Sequence, residues 1–430
     1  MMKELTSMAL QVMRDAGAQK AQCVVSTSEK QEFNVEKNEY TLFRSTFNSS
    51  LGLTALLDGK KASLSINQFD EDSIREAAAA VVDMSRNSQP DEANDIAGLE
   101  DGPSEYDEGS KGCDRGLMFD RVGELLEKVK SEYPTVTIVD GQTDFTRSAS
   151  FVHNTNGVEI AYSNGYYGSS FSFGAKDGET ATSINGGGGY MYNLDKPLWD
   201  CFGLGMMIAQ SVEELKARQL KNKFSGRVIL SPFFMTEFLS MYIGCYLGDR
   251  PLISRTSALK DSLGKKAASE LLTVMSDPGD RAVVANPVTS DGFRAKKMTI
   301  FDRGVLSSFV LSQYGANKIG GTRSANLGAQ AGVAPGDTEL KELIGMVDRG
   351  LMIGRFSGGM PSDNGDFSGI AKNSFYIENG KIAYPVTETM ISGNLRAMFE
   401  NVTGISTETV SFGADIQPWV LVDDVGISGS

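Results

Sequence analysis

Apolar positions recur every three to four residues in some stretches of the chain and every second residue in others, and the switching between these periods predicts its elements. Residues 4–16 carry Leu5, Met8, Leu10 and Met13 on one helical face. Strands at 21–28, 31–37, 40–48 and 51–58 follow, and Asp58-Gly59 is a hairpin turn into 61–66. Residues 70–86 predict a second helix, acidic at its start and Ala-rich in its middle. Residues 97–112 are acidic and aperiodic and read as a surface loop. A third helix covers 118–133, with Phe119, Val122, Leu125, Leu126 and Val129 facing inward. Residues 136–192 are β-rich, punctuated by Asn156-Gly157, Asn164-Gly165 and Asp177-Gly178. The tetraglycine at 186–189 reads as flexible, and no Lys-Ser/Thr follows it to make a phosphate loop. A long helix is expected over 196–220, then a polar hinge at 221–226.

The densest apolar run is 231–249, SPFFMTEFLSMYIGCYLGD. It predicts a central helix over 232–247, apolar nearly all round and therefore buried. Ser231 is placed to cap it, Pro232 fits the first helical position, and Gly248 is expected to end it in a left-handed turn. The run is shorter than the roughly 20 residues that a bilayer requires. Hairpins follow at 296–311, through Asp302-Arg303-Gly304, and at 373–386, through Asn379-Gly380. Asn394 is a natural N-cap for a helix over 395–402, after a tight turn at Gly393. Helices and strands without strict alternation predict an α+β fold. We expect two domains, 1–221 and 222–430, each a β-sheet with packed helices, the second β-rich around the buried helix.

Composition narrows the function. A net charge of −14 without a basic run argues against direct nucleic-acid binding. No window is apolar enough to span a membrane, and the opening residues do not read as a leader. Four separated cysteines without a CxxC suit reduced thiols. The expected location is the cytoplasm. The single histidine, His153, excludes any site that needs two imidazoles from one chain.

Candidate chemistry is sparse. His153 reads as a lone general base or, with greater weight, as an ordinary polar residue beside a turn. No GxSxG elbow supports a serine triad. Cys245, at the wrong end of its helix for a thiolate, reads as a buried structural cysteine. Asp277, Asp280, Asp291 and Asp302 occupy turn-like positions where aspartate is common, so a hard-metal site is weakly supported. The glycine-rich 350–369 segment reads either as a substrate loop, with Gly358 and Gly359 admitting a close backbone and Ser362, Asp363 and Asp366 offering polar groups, or as a long turn.

Residues 364–402 resemble the signature region of the TldD/PmbA family, through Gly365-Asp366-Phe367-Ser368, Glu378-Asn379-Gly380 and Ser392-Gly393-Asn394-Leu395. Similar pieces at 16–25, 154–160, 257–264, 272–278, 290–292 and 302–320 keep the family's order. The resemblance implies a two-domain cytoplasmic protein, peptide maturation and antitoxin breakdown as context, and an older association with DNA gyrase. In it, TldD-type members are metalloproteases with an HExxxH helix and a later cysteine ligand, while PmbA/TldE-type members lack those ligands and serve as partners. Counted onto this chain, the metal positions fall at about Leu239, Ser240 and Gly244, and no cysteine follows Cys245. The resemblance therefore implies a PmbA/TldE-like subunit with no catalytic residue, metal or cofactor of its own. Its partner would be a TldD-type subunit or a second copy, and its substrate a peptide or protein. Gly358, Gly359, Asp366, Phe367, Ser368, Gly393 and Asn394 are the candidates for a substrate loop or interface. An autonomous non-metal hydrolase and a non-enzymatic homodimeric regulator are the alternatives. The central helix is expected only to pack.

Overall fold

The computed structural model describes residues 2–280, 284, 287–329, 331–387 and 389–429. Its fold is α+β, built on three sheets. The first contains, in spatial order, Lys60–Ile66, Glu39–Leu57, Lys20–Glu36, Val136–Asn154, Glu159–Asp177 and Glu105–Gly109, with Asn185–Met191 also paired to Glu159–Asp177. The four short strands expected before residue 58 are two long ones. They meet at Lys37-Asn38, both left-handed (φ 52° and 66°), the two-residue turn whose twist matches its strands. Asp58-Gly59 makes a second such turn. Helices Met2–Asp15 and Glu71–Arg86 bury Leu10, Met13, Ile74 and Val81 with Cys23 and Leu53 of this sheet. Asp70 caps the second helix, accepting from Ser73 N at 2.9 Å.

Several expectations fail here. Asn164-Gly165 is no turn but lies inside the unbroken strand Glu159–Asp177. The glycine is required by a parallel neighbour, Glu105–Gly109, since a Cβ on Gly165 would meet Ser110 O at 1.9 Å. The supposed surface loop thus contains a strand, and its Glu100 accepts from Lys296 at 2.8 Å and receives Arg294 of the later half. The long helix expected over 196–220 is broken: Phe202 and Gly203 are left-handed (φ 57° and 70°), only Leu204–Glu213 is α-helical, and Arg218–Gln219 is already a strand. The polar stretch read as a hinge enters the strand Lys223–Leu230 directly.

The largest sheet is mixed and ten-stranded, and all its strands lie within Arg218–Ser428. At its middle, Lys223–Leu230 pairs in parallel with Arg349–Ile353 and antiparallel with Ile416–Ser428. It leads into the helix Pro232–Tyr242. Ser231 Oγ accepts from Phe234 N at 3.2 Å and donates to Gly354 O at 2.7 Å, tying the helix start to the sheet. Phe234, Met235, Phe238, Leu239, Tyr242 and Tyr246 enter the main core, where the Tyr242 and Phe399 rings stack at 3.8 Å. The helix does not end in a left-handed glycine. Residues Ile243–Leu247 widen into a π-turn closed by Gly248 N to Ile243 O at 3.0 Å, Gly248 is extended (φ −85°), and Asp249–Ile253 forms a further helical turn. None of the described helices is long and apolar enough to cross a membrane.

Candidate active-site cleft

The central helix is not buried all round. Phe234, Met235, Phe238, Leu239 and Tyr242 face the core, whereas Phe233, Thr236, Glu237 and Ser240 form an open side. That side fronts a cleft of about 1060 Å³ whose opposite wall is the first sheet. Alternation along Val136–Asn154 presents Asp140, Gln142, Asp144 and Thr146 to it, and the neighbouring strands add Lys30, Tyr166 and Ser170. The tetraglycine completes this wall. It is ordered strand, not flexible chain: Asn185–Met191 pairs with Glu159–Asp177 over 167–173, and a Cβ on Gly188 would lie 2.2 Å from Ser169 O. Tyr190 N donates outward to Phe412 O at 2.9 Å. Alternation then directs the Gly186 and Gly188 backbone to the same outer edge.

The polar groups of the cleft restrain one another. Lys30 Nζ lies 3.2 Å from Glu32 and 3.3 Å from Asp144, and Asp144 also accepts from Gln142 and Thr146, each at 2.9 Å. Across the cleft, buried Asp415 accepts from Thr236 Oγ1 and, at 2.8 Å, from Gln417 Nε2. Burial pushes the Asp415 carboxyl up, and these two donors oppose the shift. Burial likewise raises Glu237, with Arg355 opposing. The Arg355 guanidinium sits 5.1 Å from the Phe233 ring centroid. The arrangement offers hydrogen-bonding walls of mixed charge and a glycine backbone that a peptide can approach closely.

Behind this cleft the two halves are clasped. Glu214, just after the helix Leu204–Glu213, accepts from Asn373 Nδ2 at 2.9 and 3.1 Å. Both side chains are buried, Asn373 Oδ1 has no partner, and desolvation raises Glu214 to about 7.

The residues nominated from sequence lie elsewhere. Asp366, Phe367 and Ser368 pair with Asn394, Gly393 and Ser392 in one antiparallel ladder, and Gly358 pairs with Gly369 on the next strand. Asn394 caps Leu395–Glu400 as expected, accepting from Arg396 N and Ala397 N, and its Nδ2 donates to Asp366 Oδ1 at 2.8 Å. Phe367 is buried, while Gly359 is at an open tip. None of these residues lines the cleft. The 350–369 segment is a hairpin in a sheet, not a long loop. Of the metal-equivalent positions, Leu239 turns into the core, Ser240 faces the cleft and Gly244 is exposed outside it, so the three do not converge. His153 also lies away from the cleft, 2.9 Å from Thr6 Oγ1 and 3.6 Å from Glu159, with its pKa lowered by burial. Cys245 is half-buried rather than buried, and burial pushes its thiol up. Asp277 pairs with Lys297 and Asp291 with Arg323. Among the described residues no three His, Cys, Asp or Glu side chains gather as a metal ion would need.

Two signals for the cleft are present in the sequence. Asp140, Gln142, Asp144 and Thr146 alternate along a β-rich run, marking a face not covered by apolar packing. Thr236, Glu237 and Ser240 fall on one helical side.

Comparison with known proteins fits this architecture. Residues 224–429 match the PmbA/TldA metallopeptidase C-terminal domain, and residues 21–85 match PmbA/TldA metallopeptidase domain 1. The metalloprotease PmbA homolog of Haemophilus influenzae is 24% identical over 459 aligned positions, covering 100% of this chain and 96% of that protein. Metalloprotease PmbA of Escherichia coli O157:H7 is 27% identical over 247 residues, covering 56% of this chain and 53% of that protein, about half its length. The crystal structure of TldE from Thermococcus kodakarensis superposes with a TM-score of 0.85 at 16% identity, covering 99% of this chain and 100% of that one. A candidate DNA gyrase modulator from Bacteroides thetaiotaomicron also gives 0.85, at 22% identity with 100% and 99% covered. At such identities the two structures speak to the fold alone. The two domain matches together span more than half of the sequence, in the order expected of one protein, and the chain belongs to the TldD/PmbA family.

Proposed function

We propose that this chain is a PmbA/TldE-like subunit of a TldD-type protease complex, holding an extended peptide while a TldD-type partner supplies the metal. The observation that carries the reading is the cleft: about 1060 Å³, walled by an ordered glycine strand whose outer edge directs backbone groups to it. An extended peptide is recognised by such an edge through main-chain hydrogen bonds, largely regardless of its side chains. The donor set does not fit a zinc ion, because the open side of the central helix carries one carboxylate, Glu237, beside Phe233, Thr236 and Ser240. The name metalloprotease carried by the relatives therefore supports the complex rather than zinc chemistry in this chain. We place the subunit in the cytoplasm, acting in peptide maturation or proteolysis.

The test is metal analysis and a peptidase assay on the purified chain, with and without a TldD-type subunit. We expect sub-stoichiometric zinc and no cleavage alone, and cleavage on mixing. One zinc per chain, or full activity without the partner, would end the proposal. The autonomous hydrolase built on His153 has no observation in its favour, since the neighbours of that ring are Thr6 and Glu159 rather than cleft residues.

A further inference from the structure

We infer that this chain selects its peptide by one aliphatic side chain, about valine in size, seated in an apolar pocket that opens off the cleft; the inference rests on the peptide-holding role proposed above. The pocket lies between the helix Leu204–Glu213, the start of the central helix and strands of the largest sheet. Asn185, Phe233, Arg355 and Phe412 line both it and the cleft, and so form its mouth. Behind them Phe202, Met206, Met207, Met352, Val410 and Trp419 make apolar walls. Polar side chains at its border are already engaged. Ser231 bonds Phe234 N and Gly354 O, Asn185 Oδ1 accepts from Gly186 N at 2.8 Å, and Asn373 gives its amide nitrogen to Glu214. An aliphatic group gains by leaving water for such walls, whereas a polar one loses its hydration.

Orientation and size decide the occupant. The odd positions of the glycine strand face this pocket: a Cβ on Gly187 would meet Met207 at 2.2 Å, and one on Gly189 would meet Phe202 at 2.6 Å. A peptide added to the outer edge of that strand shares its pleat, so every second side chain points to the same face and reaches the same walls. At the mouth Arg355, 5.1 Å from the Phe233 ring centroid, presents guanidinium N–H groups to a main-chain carbonyl. Glu237 beside it disfavours a free carboxylate there, so an internal residue of the peptide fits better than a C-terminal one. The pocket holds about 30 Å³, against roughly 10–15 Å³ for a single water, which admits a few carbon atoms but no aromatic ring. The methionines among its walls adjust readily to a branched side chain.

The test is fluorescence anisotropy of the full chain with short labelled peptides, acetylated and amidated at their ends. They are built of glycine and serine, with one central valine, threonine, glycine or phenylalanine. The valine peptide should bind about tenfold or more tightly than each of the others. Met206→Trp, at a position 40% exposed, fills the pocket from the solvent side and should bring the affinities within about twofold of one another. Should circular dichroism show that variant misfolded, Val410→Phe, on the strand Val402–Ser411, decides. Equal binding of all the peptides by the parent chain overturns the inference while the peptide-holding role stands, and no binding of any of them overturns both. A valine preference that survives the filled pocket overturns its assignment to these walls, and phenylalanine bound best overturns its size. Threonine bound more tightly than valine overturns the aliphatic occupant, since the pocket would then read a hydroxyl through the orphan Asn373 Oδ1.

Discussion

Two glycine-bearing regions of this protein behave oppositely to their appearance in sequence. The ladder joining Asp366–Lys372 to Thr389–Asn394 holds the most recognisable motifs, yet its polar groups are spent on one another: Asp366 on Asn364 and Asn394, and Asn394 on the helix it caps. The tetraglycine strand Asn185–Met191 has no motif, yet it walls the cleft of about 1060 Å³. A motif can persist because it fixes a backbone, and a bland run can matter because it lets two backbones touch. Conformational freedom and close approach call for the same residue, and the sequence does not distinguish them.

Substitutions that separate the two uses of glycine give the largest expected effect. Gly188→Ala forces a Cβ against the Ser169 backbone, which no side-chain motion relieves, and should cost about 3 kcal/mol or more. Gly359→Ala, at the open tip of the recognisable region, should stay within about 0.5 kcal/mol. Thermal melts of the two variants measure the contrast, and equal melting temperatures would abolish it.

The clasp between the halves comes next. Glu214, raised to about 7, keeps a proton that the unfolded chain releases near the ordinary value of 4.5. Its stabilising contribution is therefore present in full below about pH 4.5 and is lost as pH rises to about 7, on the order of 2–3 kcal/mol. Glutamine has no proton to lose, and its amide can donate to the orphan Asn373 Oδ1. Glu214→Gln should match the parent near pH 4.5 and exceed it at pH 8. Urea titrations across that range would show a flattened pH dependence, and an unchanged slope counts against the clasp. A smaller effect than the clasp's belongs to the ladder: Asn394→Ala should cost about 1 kcal/mol through the lost cap and leave peptide binding to the cleft intact. Loss of binding without loss of stability would return the motif to the functional site.

What was legible in sequence was local. Asp70, Ser231 with Pro232, and Asn394 announced helix starts, and Asp58-Gly59 and Asn379-Gly380 announced hairpins, because caps and turns depend on a few adjacent residues. Gly165 and Gly188 misled because their constraints come from Ser110, just past the strand Glu105–Gly109, and from Ser169 on a neighbouring strand. The central helix misled in another way. Its run of Phe, Met and Tyr implies burial, but Thr236, Glu237 and Ser240 share one side, and only the neighbouring sheet shows that this side stays open. The cleft itself gathers Asp140, Asp144, Arg355 and Asp415 from distant strands and loops, and no short window contains it.

The order in which the sheets close has a consequence for synthesis. Lys223–Leu230, the strand that carries the central helix, finds its antiparallel neighbour only in Ile416–Ser428. At a translation rate of about 5–20 residues per second, the roughly two hundred intervening residues take about ten to forty seconds to emerge. Throughout that interval a Phe-rich helix and an unpaired strand edge face solvent, as chaperone-binding segments do. The first sheet has all its strands once Met191 is made, so it can fold while the later core still waits for its final strand.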